Sequence, residues 1–203
     1  MRKKGFLRRS ISDRGFSLRR AWAVSEEGQT TLCTGLFFLL FFSVVLVSYL
    51  QMEMVRSSSA YMEDAIAASG LASALIDVQE YGSTHVLRIP DVKHAYERYC
   101  TALKANLGLD ENWECHNKRL ISGRVTIDNY TVYNVTGESV SYCSYDGGRE
   151  HWSEGKKGNV LAPNGQVIER TGVYGEISYS FTGIWGLSVN ARKGKLVDVV
   201  GEE

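Results

Sequence analysis

The sequence predicts an α+β chain: an N-terminal transmembrane helix continuing into a long stalk helix, followed by a second helix and a small antiparallel β-sheet. Three observations carry this. Residues 28–52 contain no charge. Apolar residues recur at three- and four-residue spacing over 53–80 and again over 91–107, the period of a helix face. After Trp113 the chain becomes β-branched and aromatic, with punctuation by Gly, Asn and Asp, as in strands and turns. Helices first and strands later is an α+β order.

The chain has 203 residues, with 23 Lys+Arg against 23 Asp+Glu. The balance is uneven. Within residues 1–24, Arg2, Lys3, Lys4, Arg8, Arg9, Arg14, Arg19 and Arg20 face a single acid, Asp13, so the remainder of the chain is net acidic. That split excludes a uniformly basic nucleic-acid binder, and two prolines with 44% hydrophobic residues exclude a largely disordered chain. Residues 1–27 read as a basic cytoplasmic tail.

Residues 28–52 form the membrane segment. Its 25 uncharged residues exceed the ~20 that cross a ~30 Å hydrocarbon layer at ~1.5 Å per residue. A cleaved signal peptide fits less well, because signal apolar regions run about 7–15 residues. The residues after Leu50 are Gln51, Met52 and Glu53, not a small-x-small site. Cys33 precedes the apolar centre, which does not suit lipidation. Lys and Arg resist translocation, so the tail is expected inside and residues 53–203 outside, in a single crossing of the plasma membrane.

Over 53–80 the residues Tyr61, Ala65, Ala68, Leu71, Ala72, Leu75 and Val78 mark one apolar face. Eight of the ten residues from Ala65 to Ala74 are Ala, Ser or Gly, which allows close approach of another backbone. Ala65, Ala68 and Ala72 are therefore candidate helix-packing positions, either against the domain's own sheet or against another subunit. Helix from Thr30 to Glu80 would extend roughly 75 Å. Glu53, Glu63, Asp64 and Asp77 read as its solvated face, and Tyr81-Gly82-Ser83 as its stop. Asp91 is placed to cap a second helix over 91–107, with Val92, Ala95, Tyr96, Tyr99, Leu103 and Leu107 on one face and Gly108 at its end. The region 119–200 is strand-rich. Arg124–Ile127 and Tyr130–Val135 are separated by a turn at Asp128-Asn129. Strands are expected at Ser139–Tyr145, Gly172–Phe181, Leu187–Ala191 and Lys195–Val200, with a loop over 146–165 and a Gly/Trp turn over 183–187.

No motif marks catalysis, a cofactor or a metal, and no small-molecule substrate is indicated. Cys115, His116, Cys143 and His151 supply ligand types without the paired spacing of structural zinc sites. Cys143 with His151 or His116 is kept as a thiol-enzyme alternative. Outside the membrane, Cys100, Cys115 and Cys143 can form one disulfide and leave one thiol, with the connectivity open. The glycines between Asp146 and Gly165 lack the GK[ST] ending of a phosphate loop. Asn129-Tyr130-Thr131 and Asn134-Val135-Thr136 match the N-glycosylation pattern, which suits a type II single-pass protein with a ligand-binding ectodomain.

The head Glu26-Glu27-Gly28-Gln29-Thr30-Thr31, the apolar helix, Glu53 and Arg56 after it, and the run Ala65–Ala74 together resemble the TadE/TadG-like pseudopilins of tight-adherence pili. Val173–Phe181 and the final strands resemble the ending of that family more loosely. The resemblance implies a non-enzymatic, membrane-anchored component of a bacterial pilus or secretion apparatus. Its implied partners are the lipid bilayer and other pilin-like or secretion-platform proteins. Gly28 is the implied processing position. Five residues beyond it stands Cys33, where the pilin class places a Glu.

Overall fold

Helix α1 runs from Glu26 to Ser73 in a computed structural model that describes residues 26–116, 121–183, 186 and 188–199. The basic tail through residue 25, residues 119–120 of the strand-rich region, positions 184, 185 and 187 of the Gly/Trp turn, and Val200 lie outside the described residues. The chain divides into two compact units, Met1–Leu46 and Val47–Glu203. In the first, α1 presents Leu32, Leu36, Phe37 and the apolar residues that follow as exposed side chains. Thr34 and Ser43 donate their hydroxyls to the carbonyls of Thr30 and Leu39, at 2.8 and 2.7 Å. Both hydroxyls are thereby satisfied within the helix, as an apolar medium requires.

In the second unit α1 stops seven residues before the expected end. Asp77 is the reason. Its carboxylate accepts from the backbone N–H groups of Gln79 and Glu80, at 2.9 and 3.0 Å, and so caps a new short helix, α2 (Val78–Thr84). A helix N-cap has extended backbone (Asp77 ψ is 100°) and cannot also continue a helix. Tyr81-Gly82-Ser83, expected as the stop, lies inside α2, which ends at His85 in the left-handed region (φ 57°). Helix α3 (Val92–Leu107) forms as predicted. Asp91 Oδ1 accepts from His94 N at 2.8 Å, Gly108 closes it at φ 61°, and Val92, Ala95, Tyr99, Leu103 and Leu107 are buried.

Five strands follow: β1 (Thr126–Thr136), β2 (Ser139–Tyr145), β3 (Glu150–Lys156), β4 (Gly172–Thr182) and β5 (Ser188–Asp198). They form one antiparallel sheet in the order β3-β2-β1-β4-β5. Three expectations change. Asp128-Asn129 is not a turn: β1 is continuous, with its register against β4 shifting between Ile127 and Asn129. The extra residue of such a bulge reverses side-chain parity. Ile127, opposite Ile177, and Tyr130, opposite Gly175, therefore reach the same side. The final two strands are one, β5. The expected loop over 146–165 contains β3.

Alternate residues send side chains to opposite faces. One face, with Tyr130, Val132, Cys143, Tyr145, Val173 and Ile177, packs with Met62 and Ile66 of α1 and Tyr99 and Leu103 of α3 in the main core. The other carries Tyr133, Val140 and Tyr174 and is covered by Ala162 and Ile168 of the segment after β3. Tyr99 is fully buried and seats its ring end on Gly175: a Cβ there would lie 2.3 Å from the Tyr99 oxygen.

The two neighbouring buried tyrosines differ. Tyr130 donates to Ser73 Oγ at 3.1 Å, whereas the Tyr99 hydroxyl has no hydrogen-bond partner among the described residues. An unsatisfied buried hydroxyl costs about 1–3 kcal/mol, and a satisfied one contributes about 1 kcal/mol. Tyr99→Phe should therefore leave the urea midpoint unchanged or raise it, and Tyr130→Phe should lower it. Equal losses in both would refute the distinction.

Candidate functional site

The small-residue stretch of α1 divides between two faces. Ser58, Met62, Ala65, Ile66, Ser69 and Ser73 point inward, while Ala68, Leu71 and Ala72 are exposed, as is Leu75 just beyond the helix end. Of the three candidate packing alanines, Ala65 is thus in the unit's own core and Ala68 and Ala72 are on its surface. The inward face lies about a third of a turn from the predicted one, at ~100° per residue. Serine explains the difference. Ser69 donates to Ala65 O at 2.6 Å and accepts from Asn106 Nδ2 at 3.1 Å; Ser73 donates to Gly70 O at 2.8 Å and accepts from Tyr130. Satisfied hydroxyls behave as interior groups, yet an apolar count assigns them to the solvent side. Tyr61, also expected inward, is exposed and donates to Asn106 O at 2.7 Å.

Along the sheet, α1 passes β5 in the same chain direction. Gln51 meets Gly183, Glu63 meets Lys193 and Lys195, and Gly70 meets Val197, where a Cβ would lie 3.1 Å from Val197 Cγ2. Glu63 is not merely solvated. Its two oxygens take Lys193 Nζ at 2.8 Å and Lys195 Nζ at 2.7 Å. Hydrogen bonding to Lys193, then to Lys195, holds its carboxyl at about 2 instead of 4.5. The carboxylate is a third exposed, so solvent screening limits the clamp to about 1 kcal/mol. A depressed carboxyl pKa stabilises the fold above the ordinary value and loses that contribution as pH falls toward the folded one. Glu63→Gln should therefore be less stable than the native chain at pH 7, with the gap closing between pH 4.5 and 2. A gap that persists at pH 2 would sink the clamp.

Two of the other stalk acids also have local roles, while Asp64 is exposed as expected. Glu53 pairs with Arg56 at 3.0 Å, and Asp77 is the cap of α2. On the far face of the sheet, Arg192 bridges Asp128 at 2.9 Å and Glu176 at 3.0 Å, with Ser178 donating to Asp128. The β1 bulge brings Asp128 to this position. Sequence reasoning missed both charge clusters; Lys193-x-Lys195, two lysines on one strand face, was the available signal for the first.

Cys33, Cys100, Cys115 and Cys143 are all free thiols, so the expected bridge among Cys100, Cys115 and Cys143 is not formed. Cys115 donates to Leu107 O at 3.3 Å. Cys143 is fully buried, and burial, then the nearby Glu150, pushes its thiol up to about 11. An activated thiol needs the opposite shift. His151 stands opposite Ser144, not Cys143, which faces Trp152; the two side chains leave the sheet on opposite faces. His151 instead lies 3.9 Å from Asp146. Burial likewise raises the phenols of Tyr96, Tyr99 and Tyr130. His116 lines a shallow cleft of about 530 Å³ with Lys104 and Glu111 at the end of α3.

Of the two glycosylation patterns, Asn134 is buried and clamps Ile89, accepting its N–H at 2.8 Å and donating to its carbonyl at 3.1 Å. Asn129 Oδ1 accepts from Thr131 at 2.8 Å. Among the described residues, no group of three or more His, Cys, Asp or Glu is placed to hold a metal. Gly28, the implied processing position, lies in the first turn of α1. Among the described residues, one helix is long and apolar enough to cross a membrane, the α1 stretch Gly28–Ser73. Comparison with protein-family models, with curated proteins and with solved structures finds no match to this chain.

Proposed function

We propose that the chain is a non-enzymatic, membrane-anchored, TadE/TadG-like pseudopilin component of a bacterial pilus or secretion apparatus. In this proposal residues 1–27 are cytoplasmic and 53–203 extracytoplasmic. One observation carries it: a single helix, α1, holds both the uncharged exposed apolar segment and the face that packs on an antiparallel sheet. The exposed Ala68, Leu71, Ala72 and Leu75 offer such an assembly a close-packing surface. Catalysis finds no support in Cys143, whose thiol is buried away from His151.

The test combines topology with assembly. Protease added to intact cells with a permeable envelope should remove epitopes after residue 80 and spare an N-terminal tag. In the native host, crosslinking should capture a pilin-like or secretion-platform protein. Ala68→Leu and Ala72→Leu should abolish those crosslinks and leave unfolding of residues 53–203 unchanged, because both alanines face outward. Ala65→Leu should instead destabilise by about 1–3 kcal/mol through overpacking. A wild-type chain that crosslinks to no such component would replace the proposal with a type II ligand-binding protein.

A further inference from the structure

The two edges of the sheet are unlike. Strand β3 is one edge and β5 the other, and among the described residues no further strand pairs with either. Edge strands carry unpaired backbone groups, and proteins commonly blunt them with charge. Here the charges have opposite sign. Strand β3 has Glu150, Glu154 and one lysine, Lys156; β5 has Arg192, Lys193 and Lys195 against Asp198. On the side facing the helices, β3 presents Glu150, Trp152 and Glu154, since Trp152 lies opposite the core residue Cys143. On the same side β5 presents Lys193 and Lys195, which reach Glu63 of α1. Trp152 is half exposed (50%).

We propose that the β5 edge of one copy receives the β3 edge of a second copy, in parallel pairing, so that the sheet continues from chain to chain. Charge chooses the partner: two β3 edges repel, two β5 edges repel, and β3 against β5 attracts. Direction agrees. Strands alternate across the five-stranded sheet, so β3 and β5 run the same way, and α1 runs along β5 in that direction too. Copies whose α1 residues 47–73 lie side by side in one direction, as the membrane-anchored assembly proposed above requires, present both edges pointing the same way. Antiparallel pairing of like edges would turn one copy over. Setting Glu150–Lys156 beside Ala191–Val197 places Glu154 next to Lys195 and Trp152 next to Lys193, a cation above an aromatic ring. Each added copy leaves one β3 and one β5 edge open, so the contact is head-to-tail and builds rows instead of closed dimers.

The test uses the full chain in phospholipid vesicles and a zero-length carbodiimide, with mass spectrometry of the products. Within one chain β3 and β5 are four strand spacings apart, roughly 19 Å at ~4.8 Å each. An amide between Glu150 or Glu154 and Lys193 or Lys195 is therefore intermolecular, whereas Glu63–Lys193 and Glu63–Lys195 amides are intrachain and report the intact fold. The expected result is the β3–β5 amide in dimers, trimers and higher bands. Glu154→Lys should reduce it at least tenfold while the Glu63 amides persist. Glu63 amides with no β3–β5 link, or links between like edges only, overturn the pairing. Vesicle flotation separates the two claims: a chain that floats without the link refutes the edge contact alone, and one that does not float removes the anchor on which it rests.

Discussion

Gly172→Ala should cost about 3 kcal/mol, the upper part of the range for forced overpacking. A Cβ at Gly172 would lie 2.5 Å from the Val197 carbonyl oxygen and 3.2 Å from Asp198 Cα. Both are backbone of the neighbouring strand, whose Asp198 pairs with Gly172, so no rotamer change relieves the clash. The end of the β4–β5 ladder must open instead, and with it the seat of Gly70 on Val197. Gly148→Ala is the control, because nothing lies within 4 Å of its added carbon. Urea unfolding of the two variants decides the matter; equal midpoints would mean that the strands close less tightly at Gly172 than described.

Leu39→Arg combined with Val45→Arg should remove the chain from the membrane. Both side chains are exposed near the middle of the apolar segment. Arginine at the centre of a spanning helix opposes insertion by about 2.5–3.5 kcal/mol each, so the pair outweighs the gain from the remaining leucines and phenylalanines. Carbonate extraction should shift the variant from the pellet to the supernatant. The Val47–Glu203 unit contains neither residue and should keep its unfolding midpoint. Retention of the double variant in the pellet would show that something other than this segment holds the chain there.

Most of the α+β order was legible because its signals are local. Helix α3 has a cap at each end and an uninterrupted apolar face, so nothing competes with the pattern. Strand β2 is bounded as expected, with Val140 buried on one face and Cys143 and Tyr145 on the other. What escaped depends on partners distant in sequence. Strand β3, Glu-His-Trp-Ser-Glu-Gly-Lys, is exposed at every position but Gly155 and lacks a buried face to betray it; only pairing with β2 makes it a strand. The bulge in β1 looks like a turn because Asp128-Asn129 has turn chemistry, and the register against β4 overrides it. The inward face of α1 was misplaced because buried serines look polar until Asn106 and Tyr130 are seen to bond them. The Glu63 clamp joins residues 132 positions apart, beyond any spacing rule. The break before α2 was the recoverable case: Asp77 with Glu80 three residues later is a cap signal, obscured by continued helical periodicity on both sides of it.

The seating of α1 on the last strand sets an order of events during synthesis. Met62 and Ile66 emerge well before β5, the strand that Glu63 and Gly70 rest on, whose Lys195 lies 132 positions beyond Glu63. At about 5–20 residues per second, the 132 positions separating Glu63 from Lys195 correspond to roughly 7–26 s in which that helix face has no finished surface to close on. The first three strands can pair among themselves in that interval, since their contacts are successive. The N-terminal helix cannot. A growing chain of this design must keep an apolar helix apart from its neighbours until β5 has emerged, a need that a membrane, or a chaperone at its surface, is suited to meet.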